Sequence, residues 1–196
     1  MITMTPTSRA IAWSAYLSAA VTVLGAMTLA AFFSLGQPFG TLNDALSAVG
    51  ALLLLPLAWA LYRRHAARAS VLAALATLVG VAGMLTLASL QSLLVLDVVS
   101  FEQTLGAVLS ASGAIGLWLV LHSGMAWTFG SLPRHLVGLG VAAGAGYVLS
   151  GLGFGLGQAH PVFIAGALLA TIAYPLWAVG LGRWVTGHTW ASLPGG

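Results

Sequence analysis

Residues 161–184 read PVFIAGALLATIAYPLWAVGLGRW, and this stretch decides the fold. Its one charged group, Arg183, stands at the far end, and the polar side chains within it are Thr171 and Tyr174. A bilayer core is about 30 Å thick and takes about 20 apolar residues to cross as a helix. Backbone groups in lipid must pair within their own segment unless a barrel closes, and no run of alternating apolar and polar residues suggests a barrel. Five further stretches read the same way: 11–34, 42–62, 70–96, 103–123 and 135–157. The spacing predicts an all-α, polytopic membrane bundle of six helices forming one domain over 1–196. The first stretch exceeds the apolar core of a signal peptide and reads as a retained helix.

Composition agrees. Of 196 residues, 60% are apolar and 5% charged, whereas soluble domains carry about 25% charged residues. There is no Cys, which excludes disulfides, thiolate nucleophiles and Cys-ligated metal or iron–sulfur centres. All six basic residues are Arg, so Schiff-base chemistry on lysine and a P-loop lysine are excluded as well. The net charge of +3 rests on few groups and forms no basic patch; nucleic acid is not an expected partner.

The connections carry the orientation. Arg9, Arg63, Arg64, Arg68, Arg134 and Arg183 all fall on one side of a six-helix layout, and Asp44, Asp97 and Glu102 on the other. The positive-inside rule then places both termini in the cytoplasm of a cell (inner) membrane protein. The seven Trp, at 13, 59, 118, 127, 177, 184 and 190, lie towards the Arg side. Ser100 and Gln103 read as a capping box opening the fourth segment. Pro161 stands at the first position of the sixth, where its missing N–H costs nothing. Asn43 and Asp44 are expected to open the second.

Four groups of residues are candidates for function. Tyr147, Thr171 and Tyr174 sit near mid-depth, Pro175 should kink the sixth segment, and Gln91 is an amide that in lipid must face other helices or a wet cavity. Together they point to an interior pocket for a small lipophilic molecule or ion. Asp44, Asp97, Glu102 and His160, with Gln158 nearby, form an outer polar cluster that reads either as the mouth of a binding site or as helix-end and loop residues in water. Gly140, Gly144, Gly151 and Gly155 have the small-xxx-small spacing of tightly packed helices, and the same faces would suit a second copy or a partner membrane subunit. His122 and His135 flank a short connection as a haem-ligating pair would, while His65 and His188 read as a solvated loop residue and a tail residue. No catalytic constellation, metal motif or phosphate-binding loop is present, and no cofactor is specified.

The Asn43-Asp44 pair, Pro56-Leu57 within the second segment and Tyr174-Pro175-Leu176-Trp177 in the sixth resemble a family of uncharacterised bacterial six-helix membrane proteins. That resemblance implies a bacterial protein with six helices and no established activity or site. Three functions follow as expectations: a bundle that binds or moves a small lipophilic molecule or ion, an accessory or scaffold subunit, and a haem- or quinone-bearing redox subunit.

Overall fold

A computed structural model describes residues 6–157 and 159–187. They form five helices: α1 (Pro6–Leu35), α2 (Phe39–Val95), α3 (Phe101–Phe129), α4 (Arg134–Phe154) and α5 (Pro161–Gly187). Each is long and apolar enough to cross a membrane, which makes the chain a multi-pass membrane protein. His188 and Trp190 lie outside the described residues, as does Gln158.

α2 is 57 residues long, and one residue within it, Ala69, leaves helical geometry (φ −148°, ψ 58°). The sequence suggested a loop over 63–69. Residues 63–68 stay helical because Arg, His and Ala supply no Gly or Pro to break the ladder. Ala69 nevertheless turns the chain back on itself: Asn43, Leu46 and Leu54 of the first arm line the same cavity as Leu87 and Gln91 of the second. A straight helix of that length would span about 85 Å and keep those residues far apart.

Local chemistry sets the other boundaries. Gly36, at φ 76°, ends α1 in the left-handed region, and its N–H donates to the Phe32 carbonyl at 2.8 Å. α2 starts a turn before Asn43 and Asp44, because Gln37 Oε1 accepts the Thr41 N–H at 3.2 Å and caps the earlier turn. The capping box of α3 forms as expected: Ser100 Oγ accepts the Gln103 N–H, and Gln103 Oε1 accepts the Ser100 N–H. Pro161 opens α5, and His160 Nδ1 accepts the Val162 N–H at 3.3 Å.

The helices close into a ring. Each packs against its neighbours in sequence, and α5 returns to α1. In lipid there is little hydrophobic drive between helices, so close backbone approach supplies the contact. A Cβ added to Gly144 would stand 2.5 Å from the Gly116 carbonyl oxygen, and one on Gly166 would stand 2.5 Å from the Ser150 nitrogen. The α3–α4 contact therefore needs a residue without a side chain on α4, and the α4–α5 contact needs one on α5. Large apolar side chains such as Val71, Leu78, Ile172 and Leu176 cover the outside.

Candidate functional site

The interior of the bundle holds a cavity of about 570 Å³ bounded by all five helices. Tyr147, Thr171 and Tyr174, which the sequence grouped by depth, and Gln91, which it singled out as an amide in an apolar run, all line it. They come together because a polar side chain at mid-depth is held away from lipid, and the ring of helices has one interior to receive it.

Tyr174 forms the inner end. It is buried, and its hydroxyl donates to Ser18 Oγ at 2.7 Å; Ser18 in turn donates to the Ala15 carbonyl at 2.9 Å. Tyr147 meets the Tyr174 ring edge-on, with centroids 6.2 Å apart. Pro175 does not break α5, which runs on to Gly187. Its missing N–H instead leaves the Thr171 carbonyl without its intrahelical donor, at a residue of the cavity wall.

The polar groups of the wall divide by what they have left to offer. Thr22 and Ser112 hydroxyls donate to the carbonyls of Ser18 and Val108 on their own helices. Asn43 is hydrogen-bonded to Asp44. Gln91 is different. It is only 7% exposed, and its Oε1 is buried with no hydrogen-bond partner among the described residues. Leaving such a group unpaired costs about 1–3 kcal/mol. Among the described residues no Asp, Glu, Arg or His lines the cavity, so none of them would neutralise a charged guest.

The cavity has an outward side. α1 and α5 meet at its inner end, where Tyr16 covers Gly182 and Tyr174 bonds Ser18. Beyond that contact Leu29 and Phe33 of α1 and Leu168 of α5 line the cavity while lying exposed on the bundle surface. The gap between α1 and α5 therefore faces the surrounding apolar phase.

The remaining candidates sit in separate settings. Asp44 is half-buried in the second turn of α2 and Glu102 is exposed in the first turn of α3. Asp97, which follows a helix end where a carboxylate opposes the dipole, occupies the turn at φ 53°, a conformation that Asp tolerates better than most residues. His160 serves the α5 N-terminus. Among the described residues no three His, Asp or Glu gather as a metal ion would need. Gly140 meets Ser123 and Trp177, and Gly144 meets Gly116 and Val120. A Cβ added to Gly151 would stand 3.2 Å from the Leu109 carbonyl oxygen, whereas Gly155 is the exposed C-cap of α4.

The two haem candidates differ in surroundings. His135 is exposed on the first turn of α4, while His122 is buried with both ring nitrogens engaged. Its partner is His65, and here the sequence reading of a solvated loop residue is corrected: His65 is 0% exposed. Its Nδ1 lies 2.9 Å from His122 Nδ1. The signal was present as periodicity, since Leu57, Leu61 and His65 recur every four residues along one buried face of α2. Trp118 and Trp177 are likewise core residues and no part of an interfacial belt. They form an aromatic column, with His122–Trp118, Trp118–Trp177 and Trp177–Tyr174 centroids 5.9, 6.3 and 6.0 Å apart.

No family model, curated protein or solved structure matches the chain.

Proposed function

We propose that this chain is a bacterial inner-membrane protein that binds a small, neutral, mainly apolar molecule carrying one hydrogen-bonding group, in the cavity bounded by the five helices. The observation that carries the reading is Gln91: a buried amide oxygen without a partner, in the wall of a cavity with no charged group. A guest with a hydroxyl or N–H satisfies that amide, and the Tyr147 hydroxyl and the Thr171 carbonyl offer further polar contact. The exposed apolar rim at Leu29, Phe33 and Leu168 supports access from the bilayer. Binding is the reading and movement across the membrane is not part of it, because the wall provides no ionisable relay.

In this reading the two arms of α2 are separate crossings. There are then six, both termini are cytoplasmic, and all six Arg lie on the cytoplasmic side. A scaffold role through the helix-packing glycines is less well supported, since Gly140 and Gly144 are already used inside the bundle.

Native mass spectrometry of protein released from lipid nanodiscs tests the proposal. The expected result is a co-purifying neutral molecule at one copy per chain, lost when Phe replaces Ser47, a residue of the cavity wall on the first arm of α2 (Ser47→Phe). An apo mass under all release conditions, unchanged by that substitution, would overturn it.

A further inference from the structure

A second polar site lies at the other end of the molecule, where α2 bends. His65 on the first arm of α2, His122 on α3, Ser131 on the α3–α4 turn and Thr77 on the second arm of α2 form one unbranched chain of contacts. Ser131 Oγ lies 3.0 Å from His65 Nε2, the two Nδ1 atoms lie 2.9 Å apart, and His122 Nε2 lies 3.0 Å from Thr77 Oγ1. The imidazole planes are 24° apart with centroids at 5.2 Å. With a 2.9 Å N–N contact between them, the rings meet edge to edge and almost coplanar, and do not overlap face-on. Both side chains are withdrawn from solvent, at 0% and 1% exposure.

We infer that Ser131, His65, His122 and Thr77 form a proton relay, running from the Arg-side turn to the second arm of α2. The inference follows from hydrogen-bond bookkeeping. A neutral imidazole has one donor and one acceptor nitrogen, and a hydroxyl is both. The chain is therefore fully satisfied in two ways. In one, Ser131 O–H donates to His65 Nε2, His65 Nδ1–H donates to His122 Nδ1, and His122 Nε2–H donates to Thr77 Oγ1. In the other every bond points the opposite way, with hydrogens on Thr77 Oγ1, His122 Nδ1 and His65 Nε2. The heavy atoms are the same in both.

Passing from the first form to the second balances without residual charge. A hydronium ion at the turn, where Ser131 is half-exposed, gives its proton to Ser131 Oγ as the Ser131 hydrogen passes to His65 Nε2. The His65 Nδ1 hydrogen moves to His122 Nδ1, the His122 Nε2 hydrogen moves to Thr77 Oγ1, and Thr77, half-buried, releases its own to a water molecule. Both rings end neutral, with the opposite tautomer. The rings are packed between Trp118 and Phe129, so the chain resets when a proton returns the other way.

The surroundings favour relay over storage of charge. Arg64 donates to the Ser131 carbonyl through Nε and Nη2 and lies over the Trp184 ring of α5; Arg68 donates to the Phe129 carbonyl and lies over the Phe129 ring. Both guanidinium groups lie on the same arm end as His65 and oppose a second positive charge there. From α4, Arg134 is exposed and lies over Trp127, and from α5 Arg183 is exposed. The three acidic residues sit at other helix ends, on Asp44, Asp97 and Glu102. Ser131 is fixed for its role: its N–H donates to the Ala126 carbonyl, its C=O accepts from Arg64, and its hydroxyl remains for His65.

The test is ¹⁵N-histidine solid-state NMR of the full chain in lipid bilayers. The expected result is that His65 and His122 each show both tautomers in exchange. Removing one terminal hydroxyl should bias the chain, because a buried N–H without an acceptor is tolerated less readily than a bare lone pair. Thr77→Val should favour Nδ1–H on His122, and Ser131→Ala should favour Nδ1–H on His65, each by about tenfold. A single tautomer on each ring in the unmodified protein overturns the relay and leaves a static clamp on the α2 bend. Two doubly protonated rings would overturn it as well, since the Nδ1–Nδ1 bond could not form.

Discussion

Gln91 is the residue at which the sequence and the cavity bear most directly on each other. Its buried oxygen is unsatisfied, so Gln91→Leu removes a polar group that the empty protein does not use. The expected outcome is unchanged or higher thermal stability in detergent together with loss of the co-purifying molecule; a loss of stability with retained guest would assign Gln91 to packing. Tyr174→Phe tests the neighbouring polar group. It deletes the bond to Ser18 while Ser18 keeps its donation to the Ala15 carbonyl. Unfolding measurements should show a loss of about 0.5–1.5 kcal/mol with the cavity intact. The pocket residues were legible in the sequence because Gln91, Tyr147, Thr171 and Tyr174 are polar groups inside apolar runs, and depth alone sends them inward. His65 was not legible in the same way. Three nearby Arg made its surroundings look solvated, and the four-residue spacing from Leu61 that buries it carries weight only once 63–68 is known to be helical.

At the scale of elements, glycine position matters more than glycine content. Gly144 faces the Gly116 carbonyl, whereas a Cβ on Gly138 would meet nothing within 4 Å. Gly144→Ala should destabilise the bundle by about 1–3 kcal/mol through overpacking, and Gly138→Ala should leave it unchanged or slightly firmer, both read from thermal unfolding in the same detergent. Spacing in the sequence identified Gly140 and Gly144 as positions of close approach but also Gly155, which ends α4. The i, i+4 rule cannot tell a packing glycine from a cap. Pro175 was expected to kink its helix; α5 runs on past it to Gly187, and the carbonyl one turn back that loses its intrahelical donor is that of Thr171. Caps were the most readable element signals, because Ser100, Gln103 and Pro161 act within one turn and need no tertiary partner.

For the whole molecule, the apolar stretches were readable because bilayer thickness dictates their length. The bend of α2 falls at Ala69, inside the break expected over 63–69; what no local residue announces is that a single alanine makes it while 63–68 stays helical. A topology experiment separates its two arms. The chain has no Cys, so Gln37→Cys and Asp97→Cys can be labelled against zero background with a membrane-impermeant thiol reagent. Labelling from the same side is expected if the arms are two crossings, and labelling from opposite sides would make α2 a single one.

The glycine contacts on both flanks of α4 have a mechanical consequence. α3, α4 and α5 approach backbone to backbone at Gly116–Gly144 and Gly146–Ala170, and are expected to move as one stiff plate. α1 rests on that plate through side chains: Tyr16 against Gly182, and Ser18 beneath Tyr174. A chamber with one stiff wall and one hinged wall changes volume by displacing the hinged one, so guests of different girth should be accommodated by the tilt of α1. Spin-label pairs spanning α1 and α5 should then give broader distance distributions than pairs spanning α3 and α5, and narrow when the chamber is filled.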